Sequence, residues 1–357
     1  MRMVTSNILS DTKGIQPVTF GRTLIVSTEK KIEYATITKP AEISGASSSD
    51  QIYKKVEAFF SGASRTPDVD VVGDTAITDE STLKTFLDKL ILEHNNFFFI
   101  MLDKYNKTLT PALCKWATSN GCIAAYVTPE SVSIDEVTQL AEQINSSAIA
   151  FDGQDYLDAI TIGFMTITKP GYLPWSWREL QGAIVNKRPT SDQAKLLSSN
   201  INFINEERRG VNILIPGKTT FGEFVKNEWG KANMLDDMHI AVVNILKSNN
   251  PPAHPGADLS AANIFDQAVF SVISDYAGSD RKFIATWTEE ESAKGETTRK
   301  AGEPKGWVKT KTKYTDNDIK TGVFTIEWAA MPRGECLSGT IQGLLTFNSK
   351  DITGGEN

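Results

Sequence analysis

The apolar positions of this chain change period several times, and each change predicts an element. Residues 19–27 (TFGRTLIVS) are a short run of β-branched, aromatic and aliphatic side chains, the pattern of a buried strand. Residues 49–60 put Ile52, Val56, Phe59 and Phe60 on one helical face, with Ser47, Ser48 and Ser49 available as caps. A strand is predicted at 69–72. Asp79 and Ser81 can cap a helix whose face is Leu83, Phe86, Leu87, Leu90 and Ile91. Residues 97–102 (FFFIML) do not alternate, so this strand is expected to be covered on both faces. Thr110 and Pro111 start another helix, which ends at Asn120-Gly121. A strand at 122–127, a helix at 133–144 with Ser133 and Glu136 as a capping box, and a strand at 147–151 follow. Strands and helices alternating at this spacing predict an α/β domain with a mostly parallel sheet.

The pattern then loosens. Residues 156–167 are apolar and compatible with helix or strand, and 169–174 are a Pro/Gly break. A short helix is predicted at 190–200 and a hairpin within 201–215, turning around 206–210. Two long helices follow, at 232–246 and 260–276, the second with Ile264, Ala268, Val269, Val272 and Ile273 on its face. Residues 289–305 read as a charged loop, and 307–314, 322–329 and 339–347 as strands. The expected fold class is α/β (α+β overall): an N-terminal α/β domain, then an α+β domain with two long helices and a small sheet.

Composition narrows the functions available. A chain of 357 residues corresponds to about two domains. With 40% hydrophobic and 23% charged residues it has the make-up of a soluble globular protein. The net charge of −7 comes without a basic half, so no direct nucleic-acid partner is expected. The three histidines (His94, His239, His254) and three cysteines (Cys114, Cys122, Cys336) lack metal-site spacing. An odd cysteine count excludes a full disulfide framework and predicts a reducing compartment at synthesis. The first residues lack the apolar stretch of an export signal, and the longest apolar run is far short of the ~20 residues that span a bilayer. Neither a cofactor, a metal nor membrane insertion is expected.

Motifs for chemistry fail on inspection. IPGKTT at 215–220 resembles the end of a phosphate loop, but the required first glycine is replaced by Asn212, so a Pro-Gly turn is the preferred reading. No GxGxxG follows the early strands, and no GxSxG occurs. Asp236-Asp237 and Glu206-Glu207 are adjacent pairs that diverge on a helix and read as solvated, the first pair near a helix N-terminus. Two features remain. As a strand, residues 307–314 put Lys309, Lys311 and Lys313 on one face, and residues 299–320 hold seven basic against three acidic side chains. That stripe is either an edge guarded against mispairing or a surface for an acidic partner. The second feature is a strand-like stretch near each end: Met3, Val4, Ser6, Ile8 and Leu9 at the first, and Ile341, Leu344, Leu345 and Phe347 at the second. Such strands complete either their own sheet or a neighbour's.

In the order of its segments, the chain resembles the contractile tail sheath proteins of bacteriophages and related injection particles, including tailocins. The resemblance rests on FGRTLIVS at 20–27, DQIYKKVEAFF at 50–60 with 67–73 after it, WSWRELQG at 175–182, EWGKANMLDD at 228–237, and the closing strands at 322–329 and 339–347. It departs at PPAHPG, 251–256, where sheath sequences carry a fuller turn. The resemblance implies a structural, non-enzymatic subunit of stacked six-membered rings around a tail tube, which contracts to drive the tube through the host envelope. It implies an N-terminal linking arm at 1–18, an outer α/β domain at 19–199, an inner tube-facing domain at 200–335, and a C-terminal linking arm and tail at 336–357. The arms would insert as strands into neighbours' sheets, and Lys309, Lys311 and Lys313 would face the tube. Implied partners are the chain itself, as a six-fold helical homopolymer, the tail tube protein, and baseplate and tail terminator proteins. The implied location is the virion, after assembly in a bacterial cytoplasm. The alternatives are another virion tail component, such as a baseplate or terminator protein, and a soluble α/β enzyme.

Overall fold

The computed structural model describes residues 22–61, 68–207, 210–293 and 299–334. The first half alternates strand and helix: β1 (Thr23–Ser27), β2 (Ile32–Ile37), α1 (Gln51–Ser61), β3 (Val69–Gly73), α2 (Glu80–Glu93), β4 (Phe99–Leu102), α3 (Leu109–Ser119), β5 (Ile123–Pro129), α4 (Ile134–Ile144), β6 (Ile149–Gly153) and α5 (Leu157–Thr166). The strands form one sheet in the order β2-β3-β1-β4-β5-β6. All neighbours are parallel except β2, which runs antiparallel along the β3 edge. The five parallel strands thus have the 2-1-3-4-5 order of a doubly wound α/β fold.

Period-two alternation divides the strand side chains between two layers. Ile25, Val71, Phe99, Met101, Ala125 and Phe151 face α1 and α5 on one side of the sheet. Leu24, Val26, Val72, Ile100, Leu102 and Tyr126 face α2, α3 and α4 on the other. Asp79 caps α2 as expected, although its box partner is Thr82 rather than Ser81, and Ser133 accepts the Glu136 N–H at the start of α4, one half of the expected box. The ambiguous segment 156–167 is helix, because α1 needs a partner: a Cβ on Gly163 would stand 2.0 Å from the Phe59 carbonyl oxygen, so only glycine lets α5 come this close.

The second half begins with α6 (Thr190–Ser198) and the antiparallel hairpin β7 (Phe203–Glu207) and β8 (Val211–Ile215). It continues with α7 (Val225–Leu246), α8 (Leu259–Ala277), α9 (Glu289–Ala293), β9 (Gly306–Thr310), α10 (Asp316–Thr321) and β10 (Ile326–Ala330). Ile204, Leu214, Val225, Trp229 and Ala232 belong to the core of the first sheet. A separate core starts at Met234 and gathers Met238, Val242, Phe265, Val269, Ile273, Tyr276 and Phe283. The two meet where the Phe283 ring packs onto Gly171 and Gly230; a Cβ at either glycine would lie under 3.0 Å from that ring. β9 and β10 form an antiparallel ribbon whose Val308, Ile326 and Trp328 lie on this second core. The fold is α/β, with the two long helices and small sheet expected of the second half.

Several elements differ from the sequence expectation. β2 was not foreseen: only its end residues Ile32 and Ile37 are buried, as suits an edge. The first long helix starts at Val225, not 232, so Asp236 and Asp237 stand in mid-helix rather than near an N-terminus. Nor is Asp237 simply solvated: it accepts the Tyr276 hydroxyl at 2.7 Å and pairs with Arg281 at 3.3 Å. The charged loop contains α9, with Glu291 tied to Thr288 and Lys305. The strand expected at 307–314 ends at Thr310, and the one expected at 322–329 starts at Ile326. Between them Thr315 and Asp318 form a capping box for α10, which Gly322 ends at φ 71°.

Candidate functional site

Doubly wound sheets bind ligands at the carboxyl ends of the strands, where the strand order reverses. Here that point lies between β1 and β4. The polar groups gathered there are engaged with one another. Ser27 Oγ donates to Asp103 Oδ2 at 2.6 Å and accepts the Lys30 N–H at 3.2 Å. The Thr28 N–H reaches the same carboxylate at 3.3 Å. The loop after β1 folds down onto β3, where a Cβ on Gly73 would be 2.3 Å from the Lys30 carbonyl oxygen. Lys104 pairs with Glu29 over the top. Burial pushes the Asp103 carboxyl up, opposed by the Ser27 hydroxyl that donates to it.

Behind this cluster Lys55 of α1 and Asp158 of α5 form an ion pair at 2.5 Å, with side chains 2% and 1% exposed. The other Asp158 oxygen accepts the Ala159 N–H at 2.8 Å. A second buried carboxylate, Asp152 at the end of β6, holds the Arg188 guanidinium through both oxygens, at 2.7 and 2.8 Å, and accepts from Asn186 at 2.8 Å. These arrangements fasten helices and loops to the sheet. Among the described residues, no group of His, Cys, Asp and Glu could hold a metal ion. Burial raises the Cys122 thiol to about 12 and pushes Cys114 higher, so neither is a thiolate at neutral pH.

The 215–220 segment is not a phosphate cradle, because its amides are already used. Gly217 and Lys218 N–H both donate to Asn202 Oδ1, at 2.8 and 3.0 Å. The Thr219 N–H goes to the Glu223 carbonyl and the Thr220 N–H to that of Ala148, each at 2.8 Å. Gly217 takes φ 75°, which identifies the segment as a structural turn against β6.

The lysine stripe lies on the ribbon. Lys309 is exposed on β9 directly opposite Glu327 of β10. Lys311 and Lys313 lie beyond the strand end and are exposed; the Lys311 N–H extends the ladder by one bond, to the Thr325 carbonyl at 2.9 Å. Strand alternation therefore accounts for Lys309 and not for the three together. On the same outer face, Trp307 is 47% exposed and stands opposite Ala329. Among the described residues the ribbon has two strands, each with an outer edge. The arm positions Met3, Val4, Ser6, Ile8, Leu9, Ile341, Leu344, Leu345 and Phe347, and Cys336, lie outside the described residues. Sequence reasoning did not single out the Lys55–Asp158 pair. Its signal was a lysine three residues after Ile52 and four before Phe59, on the apolar face of α1.

No protein-family model matches the sequence, and no curated protein matches it. The fold does match solved structures. A chain in the cryo-EM structure of the anti-feeding prophage baseplate, six-fold symmetrised, is similar with a TM-score of 0.66 and 11% identity, over 97% of this chain and 98% of that one. A chain in the same baseplate in its contracted state is similar with a TM-score of 0.59 and 11% identity, over 98% of each chain. The likeness therefore covers both halves of the fold. No helix among the described residues is long and apolar enough to cross a membrane.

Proposed function

We propose that this chain is a structural subunit of a contractile injection particle, and specifically a subunit of its tail sheath. The observation that carries the proposal is the fold shared with a contractile-particle chain over nearly the full length of both. The filled crevice between β1 and β4 and the occupied amides of the 215–220 turn support a structural role over an enzymatic one. The β9–β10 ribbon supports assembly by strand exchange: a two-stranded sheet is marginal alone and gains backbone hydrogen bonds from an added strand. In this reading residues 1–18 and 336–357 are the linking arms, 19–199 the outer domain and 200–335 the inner domain. Lys309, Lys311 and Lys313 then face an acidic tube. Exposed ion pairs of about 0–1 kcal/mol each suit a contact that must release on contraction. The partners are further copies in six-membered rings, the tube protein, and baseplate and terminator proteins.

Electron microscopy of the purified chain at high concentration should show hollow tubes or six-membered rings, and a strictly monomeric particle would refute the sheath role. Deleting residues 1–18 should leave a folded chain that no longer lengthens into tubes. Reversing the charge of all three lysines should weaken association with the tube while the circular dichroism spectrum is retained. A second reading is a baseplate component, favoured by the similar chains having been solved in baseplates. Copy number per particle separates the two: hundreds for a sheath, a few rings at most for a baseplate component.

A further inference from the structure

His254 lies in the proline-rich turn between α7 and α8, within PPAHPG. Its ring connects two segments. Nδ1 accepts the Gly256 N–H at 3.0 Å, and Nε2 is 2.6 Å from the Val323 carbonyl oxygen in the loop that leads from α10 into β10. A backbone N–H can only donate and a carbonyl can only accept. The two contacts together therefore require a neutral imidazole with its proton on Nε2. The ring stands edge-on to Tyr314, with centroids 4.9 Å apart. Tyr314 Oη accepts the Thr325 N–H at 2.7 Å and donates to the Thr325 carbonyl at 3.2 Å. Gly256 abuts the same tyrosine, where a Cβ would be 2.8 Å from the ring. The His254 carbonyl accepts the Ala257 and Asp258 N–H groups, and Asp258 in turn caps α8. One side chain thus ties the α7–α8 turn to the start of β10.

A second ring proton would set N–H against N–H at the Gly256 contact, and that bond would be lost. Tyr314 touches the ring and Asp318 on α10 interacts with it electrostatically; beyond them, Lys311 lies 5.6 Å from the Tyr314 ring and Glu327 on β10 acts on Tyr314. Asp318 attracts an imidazolium, but its carboxylate is taken up by the Thr315 hydroxyl and N–H at 2.7 and 3.1 Å. Lys311 opposes it. Lys311 is exposed and Asp318 half-buried with its carboxylate already engaged, whereas the conflict at Gly256 is a direct contact.

We propose that His254 is a proton-operated latch: neutral, it holds residues 254–258 against the loop entering β10, and protonated, it lets go of its own turn at Gly256. The latch goes beyond the assembly proposal and would set how firmly the α7–α8 turn is closed, since the Nε2–H bond to the Val323 carbonyl is kept in both states and only the Gly256 bond is lost. Hydrogen exchange of the full chain at about pH 7.5 and about pH 5, corrected for intrinsic rates, tests it in the peptide covering 250–258, with 322–330 as the internal reference. Protection of the wild type should fall roughly tenfold at acid pH. His254→Gln has an acceptor and a donor but no titration, and should be equally protected at both. Equal protection of the wild type at both pH values, or a parallel fall in H254Q, would overturn the latch. Imidazole nitrogen shifts give a readout without any variant: a neutral ring with its proton on Nδ1 refutes it. Both measurements hold whether or not the chain assembles, so failure of the latch and failure of the sheath reading are separate results.

Discussion

Lys55→Met would leave the Asp158 carboxylate in the core with no cation. In the native chain the two side chains are 2% and 1% exposed and 2.5 Å apart. Besides Lys55, Asp158 accepts the Ala159 N–H and stands in the first turn of α5. Removing one partner of a pair this buried costs about 3–5 kcal/mol, because the survivor keeps its desolvation penalty without its counter-charge. Asp158→Leu should cost a similar amount, with Lys55 left near the Tyr156 ring at 5.9 Å. The double variant K55M/D158L removes both charges and fills the space with apolar atoms, so it should recover most of the loss. Urea unfolding followed by tryptophan fluorescence suits the measurement, since Trp175 and Trp229 lie in the same core and are each 1% exposed. Single variants that each lose less than about 1 kcal/mol, or a double variant whose loss is the sum of the two, would refute this account of the pair.

Gly163→Ala should destabilise the chain by at least about 1–3 kcal/mol, read as a lower urea midpoint, because the Phe59 carbonyl occupies the place of the new methyl group. Thiol labelling of the native chain at about pH 8 should miss Cys114 and Cys122, and both should react once the chain is unfolded, as peptide mapping would show. Burial, with Asp237 alongside, pushes the Asp236 carboxyl up from 3.8 to about 6. The folded state therefore holds this proton more tightly than the unfolded one, and that stabilisation is lost as the pH rises through about 6. Asp236→Asn should accordingly raise Tm at about pH 7.5 and leave it unchanged below about pH 4. ATP with magnesium should leave Tm unmoved, since the Gly217 and Lys218 amides are held by Asn202.

The first sheet was legible because its parallel strands are short apolar runs and α1 to α4 each carry an unbroken helical stripe, whereas α5 is buried nearly all round and its period does not separate helix from strand. β2 was not, because an edge strand buries little: its Glu33, Tyr34, Ala35 and Thr36 are all at least partly exposed. α9 and α10 are too short to show a helical period; α10 is marked instead by the Thr315–Asp318 box and by Gly322, and those local signals were present in the sequence. The start of α7 was misplaced because Val225 and Trp229 serve the first core while Met234 and Met238 serve the second, which breaks the stripe in two. The lysine stripe was read as one strand because its alternation runs on past Thr310, whereas the backbone pairing does not. Buried pairs such as Lys55–Asp158, 103 positions apart, can be anticipated only one partner at a time.

α7 has one further consequence. Its 22 residues, at 1.5 Å each, make a rod of about 33 Å. The rod begins in one core and ends in the other without a proline to weaken its ladder. Bending the two cores against each other would mean breaking hydrogen bonds in the middle of that rod. A push at one end is therefore delivered to the other as leverage, and the compliance of any larger machine built from this chain would reside in its joints rather than in its parts.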